Sequence, residues 1–383
     1  MANPSWSLEC SACAHEAPGD ALAGVCPRCA QPYLVRHHTL PRSRDALWPT
    51  WDMWRYAAFL PLATDERPVS LGEGGTPLLE APALARTLGV AELWVKDEGL
   101  NPTASFKARG MSAAVTRARA LGVPGLVVPT AGNAGAALAA YGAAAGIPVR
   151  VYAPETTPRA ILATIRAYGA ELITMPGHIG NAGKAARAFA AERGWMDVST
   201  LREPYRIEGK KTLGIELAEQ LDWTLPDVII YPTGGGTGLI GMWKAFAELR
   251  EHGWLASSTG LPRMITAQAD GCAPIVRSFA VGADRAEPWA DPSTHASGLR
   301  VPAPLGDRLI LRALRESSGD AAAASEEAIA AATLELSRAT GVDAGPEGGC
   351  ALAVCRTLVS AGRIARSARV VIFNTGSGAS YRD

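Results

Sequence analysis

The chain has 383 residues, 48% of them hydrophobic, and its equal numbers of acidic and basic side chains give a formal net charge of zero at pH 7. This length predicts two or three domains with buried cores, and the neutral charge argues against a dedicated nucleic-acid or membrane-surface protein. The sequence has neither an uninterrupted apolar run of about 20 residues nor the charged-then-apolar start of a signal peptide. We therefore expect a cytoplasmic protein that binds neither membranes nor nucleic acid.

Two closely spaced cysteine pairs stand near the beginning of the chain. Cys10 and Cys13 form the first Cys-x-x-Cys pair, and Cys26 and Cys29 form the second after a gap of twelve residues. Four thiolates at this spacing suit one tetrahedral zinc ion, whereas disulfides are disfavoured in a reducing compartment. The alternative is four ordinary cysteines. We favour a structural zinc ion and predict a zinc-ribbon-like module over residues 1–38.

The segment 38–70 is rich in tryptophan and proline, with Trp48, Trp51 and Trp54 close together. Frequent prolines disfavour regular structure, so we predict an irregular arm. An aromatic stripe of this kind is more often used for packing than for ligand binding. The arm is expected to pack either on the core of its own chain or on a partner subunit.

A single lysine follows the turn-forming sequence Asn-Pro-Thr-Ala-Ser-Phe. This residue, Lys107, lies between a predicted strand over 93–96 and a helix predicted to begin near Met111. Only six of the 37 basic residues are lysine, so a lysine here is less easily explained as general surface charge. An amine at a helix N-terminus can lose its proton and act as a nucleophile, which arginine cannot do. An ordinary surface lysine is the other interpretation.

Strands and helices alternate over residues 125–193, a pattern that predicts a parallel sheet covered by helices. The polar, proline-interrupted stretch 197–212 is predicted as a loop, with a helix from Thr212 to Gln220. Loops at the carboxyl ends of parallel strands are the usual ligand sites. The predicted strands and helices are strands 125–129, 149–153, 171–175, 227–231, 264–268 and 370–374, and helices 136–145, 158–168, 179–193, 239–251, 307–317 and 325–340.

The loop Gly234–Gly238 lies between a predicted strand and a predicted helix, where successive backbone N–H groups can converge on an anion. A dinucleotide fingerprint, Gly236-x-Gly238-x-x-Gly241 with Asp270 as the ribose acid, is a competing interpretation. It gives no role to Lys107, to the Asn133 loop or to the Thr375 loop. One cofactor, pyridoxal phosphate, uses an amine, a phosphate cup and partners for its ring hydroxyl and ring nitrogen.

These stretches together resemble threonine synthase, within the fold type II family of pyridoxal-phosphate enzymes. The resemblance spans almost the whole chain and is most specific in the Asn-Pro-Thr-Ala-Ser-Phe-Lys sequence. It implies an α/β, two-domain fold with parallel-rich open sheets in addition to the zinc ribbon. The large cofactor-binding domain would comprise residues 39–110 and 198–383, and a small mobile domain residues 111–197. A homodimer is also expected.

The resemblance implies a role for each matching residue. Lys107 would carry the cofactor as a Schiff base, Asn133 would bind the ring hydroxyl and Thr375 would meet the pyridine nitrogen. Arg206 would grip the substrate phosphate, a task that suits the forked guanidinium group. The cofactor phosphate would be bound by Gly234, Gly235, Gly236, Thr237 and Gly238. The substrate carboxylate would be bound by Thr130, Ala131, Gly132, Asn133 and Ala134.

The implied activity is conversion of O-phospho-L-homoserine and water to L-threonine and phosphate, and the implied ligand is thus a small amino acid. Three departures from the family pattern concern the substrate more than the cofactor. Ala104 stands where the family often has glycine, Leu201 falls where a polar residue often helps to hold phosphate, and the lysine that commonly follows the Thr375 loop is missing. Three alternatives therefore stay open: a threonine or serine ammonia-lyase, a synthase for another phosphorylated or sulfonated amino acid, and a zinc-ribbon binding protein with a degenerate enzyme body.

Overall fold

The computed structural model describes residues 5–382. Within them the strands are β1 (Trp6–Cys10), β2 (Glu16–Pro18), β3 (Tyr33–His37), β4 (Leu78–Glu80), β5 (Glu92–Asp97), β6 (Leu126–Pro129), β7 (Val149–Pro154), β8 (Glu171–Met175), β9 (Met196–Asp197), β10 (Val228–Pro232), β11 (Arg263–Ala269), β12 (Asp320–Ala324) and β13 (Arg369–Asn374). The α-helices are α1 (Pro82–Leu88), α2 (Lys107–Ala120), α3 (Asn133–Ala145), α4 (Arg159–Ala167), α5 (Ile179–Arg193), α6 (Tyr205–Gln220), α7 (Thr237–Glu251), α8 (Pro274–Ala280), α9 (Asp307–Glu316), α10 (Glu326–Thr340) and α11 (Pro346–Ser360).

The strands form three sheets. The order β2-β1-β3 makes a small antiparallel sheet, and β8-β7-β6-β9 makes a four-stranded parallel sheet. The third sheet has the order β12-β11-β10-β13-β5-β4 and is parallel except for the edge strand β4. The predicted α/β class with parallel-rich open sheets is therefore confirmed. None of the helices within residues 5–382 is both long and apolar enough to cross a membrane.

The predicted loop over 197–212 is wrong, because helix α6 begins at Tyr205. Its first turn is capped by the carboxylate of Glu203, whose Oε2 accepts hydrogen bonds from the backbone N–H groups of Tyr205 at 2.7 Å and Arg206 at 3.0 Å. Its charged residues give this segment the polarity of a loop, yet Arg206, Glu208, Lys210 and Lys211 are all buried. Burial of so many charges requires partners from elsewhere in the chain.

Other element boundaries differ less from the predictions. Helix α2 begins at Lys107 itself rather than near Met111, and α11 begins at Pro346 within the glycine-rich Gly-Pro-Glu-Gly-Gly stretch. Proline suits the first position of a helix because its missing N–H would have no partner there. Helix α8 and strand β12 are additions to the predicted elements, and the β12 sequence, Asp-Ala-Ala-Ala-Ala, lacks the β-branched residues that usually indicate a strand.

Helices α2 and α6 cross at glycines. A side chain on Gly209 would collide with the carbonyl oxygen of Arg109, and one on Gly110 would lie 3.1 Å from the carbonyl oxygen of Arg206. Small residues at a crossing let two helix backbones approach closely. The crossing lies close to the first turns of both helices, and it therefore brings Lys107 and Arg206 into the same region.

A buried ionic cluster fixes the two helices against strand β5. Arg109 of α2 donates to both oxygens of Glu98 at 2.7 Å, and its Nη1 atom lies 2.8 Å from Oε2 of Glu216 in α6. Lys96 of β5 lies 2.5 Å from Glu216 as well. Burial alone would raise the pKa of Glu216, but Arg109 and Lys96 hold that pKa below its usual value. All four side chains are buried and mutually paired.

Glu216→Gln is expected to lower the free energy of unfolding by about 3–5 kcal/mol, because it leaves Arg109 and Lys96 as buried cations short of a counter-charge. The matched control is Glu92→Gln, whose ion pair with Arg369 is more than one-third exposed on both sides and should contribute at most about 1 kcal/mol. Urea unfolding followed by circular dichroism measures both. Similar losses for the two variants would contradict a structural role for the cluster.

Candidate active site

Lys107 is the first residue of α2 and follows a tight turn. Thr103 and Ala104 both have left-handed backbone angles, with φ values of 59° and 55°. The position of Ala104 thus favours glycine, and alanine there costs about 1 kcal/mol. The chain is anchored to the segment after β13, since Phe106 N–H donates to Thr375 O at 3.0 Å and Ser377 N–H donates to Ala104 O at 2.9 Å.

The Lys107 amine lies in a setting that favours its neutral form. Its side chain is half-buried, and Nζ is 4.0 Å from the centre of the Phe106 ring. Burial, assisted by the positive charge of Arg206 and opposed by Glu347, lowers the pKa of Lys107 to about 7. A second lysine, Lys210, has its Nζ 4.2 Å from the same ring centre and donates to Phe106 O. Near neutral pH, a large fraction of Lys107 is therefore an uncharged nucleophile.

The glycine loop between β10 and α7 presents unpaired backbone donors. In the described chain, the N–H groups of Gly235, Gly236 and Thr237 have no protein acceptor, as expected for the first turn of a helix. Neighbouring atoms leave no room for larger residues in this loop. A side chain at Gly234 would collide with Gly298 O, and one at Gly236 would collide with Ile310. Converging N–H groups at a helix N-terminus suit a phosphate group. Gly238 does not line the cavity, and a side chain there would collide with the Tyr231 hydroxyl.

Residues of the other predicted loops reach the same cavity. Its wall includes Lys107, Asn133 and Thr375 together with Gly234 to Thr237. Asn133 opens helix α3, and its side-chain amide faces Gly376. Thr130, Ala131, Gly132 and Ala134 adjoin this wall without lining it. The Thr130 hydroxyl shapes their loop, because it donates to Gly132 O at 2.7 Å and accepts from Gly132 N–H at 3.0 Å.

Arg206 lies behind the cavity wall as a buried cation. One guanidinium nitrogen donates to Val198 O at 2.7 Å, while Nε has no hydrogen-bond partner. Among residues 5–382, no carboxylate forms an ion pair with Arg206. Burial raises the pKa of the nearby Glu203 to about 7, so this carboxyl group is only partly charged at neutral pH. A buried arginine with a free N–H and no paired carboxylate is suited to binding an anion.

The cavity wall also includes residues that are not among the predicted site residues, and three of them, Ser297, Glu347 and Tyr381, are joined by polar contacts. The Tyr381 hydroxyl donates to Glu347 Oε1 and lies 3.0 Å from Ser297 Oγ. Glu347 Oε1 also accepts from Gly298 N–H at 2.9 Å. Glu347 is the acidic residue in the first turn of α11, inside the Gly-Pro-Glu-Gly-Gly stretch, and that position is the available signal in the sequence. Tyr381 reaches the cavity through a short 3₁₀ turn, Gly378–Tyr381.

Thr200 and Leu201, where the sequence departs from the family pattern, have different positions in the structure. Thr200 lines the cavity and approaches Gly235, whereas Leu201 turns inward into the large hydrophobic core. Leu201 also has a left-handed backbone, with φ of 62°. This dipeptide thus offers the cavity a single polar group, the Thr200 hydroxyl.

The four cysteines lie together at the end of the small antiparallel sheet. The Sγ atoms of Cys10, Cys13, Cys26 and Cys29 are all within 4.8 Å of one another. The Sγ atoms of Cys10 and Cys29 are 3.4 Å apart, and those of Cys13 and Cys26 are 3.6 Å apart. Thiolates bound to one tetrahedral zinc ion at about 2.3 Å would have similar separations. The cluster therefore fits a metal ion.

The fold and the cavity indicate an enzyme in which a weakly basic lysine amine lies beside a loop that is suited to binding phosphate. A family model described as "Pyridoxal-phosphate dependent enzyme" matches residues 69–376. The chain belongs to this family of pyridoxal-phosphate dependent enzymes. The free N–H groups of the glycine loop and the Lys107 amine at the same cavity fit the cofactor's phosphate and aldehyde.

Within this family, the chain is similar to curated threonine synthases. The chain is 35% identical to threonine synthase of Methanosarcina acetivorans over 375 residues, which cover 97% of this chain and 91% of the relative. It is 37% identical to threonine synthase of Methanocaldococcus jannaschii over 327 residues, 85% of this chain and 80% of the relative. Among solved structures, a threonine deaminase from T.th. has a TM-score of 0.66 and 28% identity, with 80% of this chain and 93% of that chain covered.

Protonation of Lys107 can be measured in the cofactor-free enzyme by brief acetylation at different pH values and peptide mass spectrometry. Labelling is expected to reach half its maximum near pH 7, the pKa that burial and Arg206 give this amine. Arg206→Gln removes a repelling positive charge and should move the midpoint upward, whereas Glu347→Gln removes an attracting negative charge and should move it downward. The exposed Lys184 is an internal reference. A midpoint of about 10.4, the ordinary value for lysine, would contradict the described environment.

Proposed function

We propose that this enzyme is a threonine synthase, which converts O-phospho-L-homoserine and water to L-threonine and phosphate. Two features near one amine support the proposal. The glycine loop, at the same cavity as Lys107, has unpaired N–H groups, and Arg206, close enough to lower the pKa of Lys107, is a buried cation without a paired carboxylate. Pyridoxal phosphate and a phosphorylated substrate each bring one phosphate group. The similarity to two threonine synthases supports the same assignment.

The cofactor would be held by residues from separate elements. Lys107 would bind its aldehyde carbon, Asn133 its ring hydroxyl and Thr375 its ring nitrogen. Gly234, Gly235, Gly236 and Thr237 would surround the phosphate, and Gly238 would support the loop from the first turn of α7. When bound, pyridoxal phosphate supplies an electron sink that stabilises negative charge on the substrate carbon atoms.

Lys107 would also move protons. An amine with a pKa of about 7 can both accept and donate a proton near neutral pH, which is the condition for an efficient general acid–base. Lys107 would take protons from the α and β carbons of the substrate and return protons to it. Glu347 would balance its positive charge, and Tyr381 and Gly298 N–H would hold that carboxylate in place.

The substrate would be gripped at both ends. Its carboxylate would bind the loop of Thr130, Ala131, Gly132, Asn133 and Ala134, which the Thr130 hydroxyl holds in shape. Its phosphate would bind Arg206, assisted by Thr200 at the cavity edge. Such two-point binding orients the carbon atoms over Lys107. Residues 111–197 would form a small mobile domain that closes over the substrate and excludes water.

Arg206 discriminates between this function and the alternative activity of a threonine or serine ammonia-lyase. Small hydroxyamino acids carry no second anionic group, so a lyase gains nothing from a buried, unpaired arginine, whose desolvation is costly. A synthase acting on another phosphorylated or sulfonated amino acid would use the same arginine. The substrate assay below separates these possibilities.

Assembly and location are part of the proposal. Trp51 and Leu100 are 54% and 68% exposed, and Trp48 and Leu71 are exposed near them in the arm and in the glycine-rich turn that follows. The two regions are joined, because Gly74 N–H donates to Asn101 Oδ1 and a side chain on Gly75 would collide with Trp51. We propose that this apolar surface forms a homodimer contact. The expected location of the dimer is the cytoplasm.

The purified enzyme should release phosphate and form threonine in equal amounts from O-phospho-L-homoserine. Lys107→Ala should reduce this rate by at least about 10³-fold, because it removes both the cofactor attachment and the proton-transfer group. Phosphate release and amino-acid analysis measure the activity, and the visible absorbance of bound cofactor reports loading. Parallel assays with threonine and serine test deamination. Faster ammonia release from threonine than phosphate release from phosphohomoserine would refute the proposed function.

The cysteine cluster is proposed to hold one structural zinc ion per chain. Elemental analysis should give one zinc per wild-type chain and almost none in Cys13→Ser/Cys26→Ser, because two remaining thiolates bind zinc far more weakly than four. The matched control Cys272→Ser/Cys355→Ser removes two buried cysteines that lie outside the cluster. Equal zinc content in all three proteins would exclude the cluster as the site.

A further inference from the structure

The amino-terminal module, defined here as residues 5–38, is built into the body of the enzyme. Its apolar residues Trp6, Leu8, Tyr33 and Val35 belong to the same buried cluster as residues of α2, α3 and β6 and as Tyr205 of α6. No separate core divides the module from helices α2 and α6 within the described residues. The first residues of these helices include Lys107 and Arg206, so the module packs on the two helices that carry these groups.

A first polar contact joins the module to the start of α6. The carbonyl oxygen of Gly19 accepts hydrogen bonds from Trp6 Nε1 at 3.0 Å and from the Tyr205 hydroxyl at 3.2 Å. The guanidinium of Arg117, on α2, lies 4.9 Å from the Trp6 ring centre and 5.7 Å from that of Tyr205. Gly19 stands in the loop between the two cysteine pairs. A metal ion bound to these cysteines would therefore help to fix the carbonyl that holds Tyr205.

A second contact lies one turn further along α6. His37, the last residue of β3, has Nε2 3.1 Å from Glu208 Oε2 and 3.2 Å from Lys211 Nζ. Glu208 and Lys211 also pair with Lys244 and Glu248 of α7, the helix that follows the glycine loop. Both His37 and Glu208 are almost completely buried. Removal of His37 thus takes one hydrogen-bond partner from the buried Glu208 carboxylate.

The two contacts are at Tyr205 and Glu208, on either side of Arg206. Lys107 has further supports that the module does not touch, because Phe106 is bound to Thr375 and Arg109 is fixed by Glu98 and Glu216. We infer that the amino-terminal module is a clamp that positions Arg206 for anion binding, with Tyr205 and His37 as the positioning residues. The inference rests on the proposed role of Arg206 as the substrate-phosphate ligand and extends it to residues that do not touch substrate.

The clamp predicts a selective loss of anion affinity. Tyr205→Phe removes one hydrogen bond and should weaken phosphate binding about 3- to 10-fold, the range for a single net hydrogen bond. His37→Leu should weaken it by about 10-fold or more, since it leaves Glu208 and Lys211 less well paired. Cofactor affinity should change less than about 2-fold in both variants, because the supports of Lys107 stay in place.

The experiment uses zinc-loaded holoenzyme, in which the cofactor's own phosphate fills the glycine loop. Calorimetric titration with inorganic phosphate then gives the affinity of the remaining anion site, and visible absorbance gives cofactor content. The KM for O-phosphohomoserine should rise in parallel while kcat stays within about 2-fold, as expected for lost ground-state binding. Wild-type enzyme stripped of zinc with a chelator should show the same weakened phosphate binding. Arg36→Ala is the matched control, because Arg36 precedes His37 on β3 but is exposed.

The outcomes separate the two levels of the proposal. Arg206→Ala should weaken phosphate binding more than either clamp variant. If Arg206→Ala leaves phosphate binding unchanged, the proposed role of Arg206 is wrong and the clamp has no function to support. If Arg206→Ala weakens binding while Tyr205→Phe and His37→Leu do not, the role of Arg206 stands and the clamp is refuted. Equal losses of cofactor and phosphate affinity also overturn it, because they indicate general loosening of the fold.

Discussion

The close crossing of α2 and α6 is the constraint on which the cavity depends. Gly209 lies against the carbonyl group of Arg109, and Gly110 lies against that of Arg206. The crossing therefore leaves little room for a side chain at either glycine. Both helices begin within one turn of the crossing. Because the two first turns are fixed together, the amine of Lys107 and the guanidinium of Arg206 influence each other electrostatically although they come from segments a hundred residues apart.

Charge pairing distinguishes the frame from the site. Around the crossing, buried charges are matched: Arg109 with Glu98 and Glu216 on one side, and the cluster of Glu208, Lys211 and their α7 partners on the other. Matched pairs of this kind are costly to break and hold geometry. The groups near the cavity are different, because Lys107 and Arg206 have no full counter-charge within the described chain. The rigid frame holds these two side chains in place without a full counter-charge, so both can bind anionic ligands.

Local sequence patterns predict the parts of this structure that are encoded within single segments. Lys107, Asn133, the glycine loop and Thr375 each follow a strand or open a helix, so their motifs indicate them, and the structure places them at one cavity. Strand β12 is mostly alanine and carries no strand signal. The first half of α6 has the polarity of a loop, since its buried charges find their partners in β3 and α7. Tyr381 meets Glu347 only because the end of the chain folds back over the cavity. Such pairings exist only in three dimensions.

The module with the four cysteines shares its hydrophobic core with the body of the enzyme. Paired Cys-x-x-Cys spacing indicates a self-contained unit, because zinc can replace a hydrophobic core in a small domain. Here the small sheet contributes Trp6, Leu8 and Val35 to a core shared with α2 and α6. A metal ion bound by the cysteines would order the loop of Gly19, and that loop contacts Tyr205 beside Arg206. A domain boundary drawn at residue 38 marks a change of motif, while the physical unit that positions Arg206 crosses it.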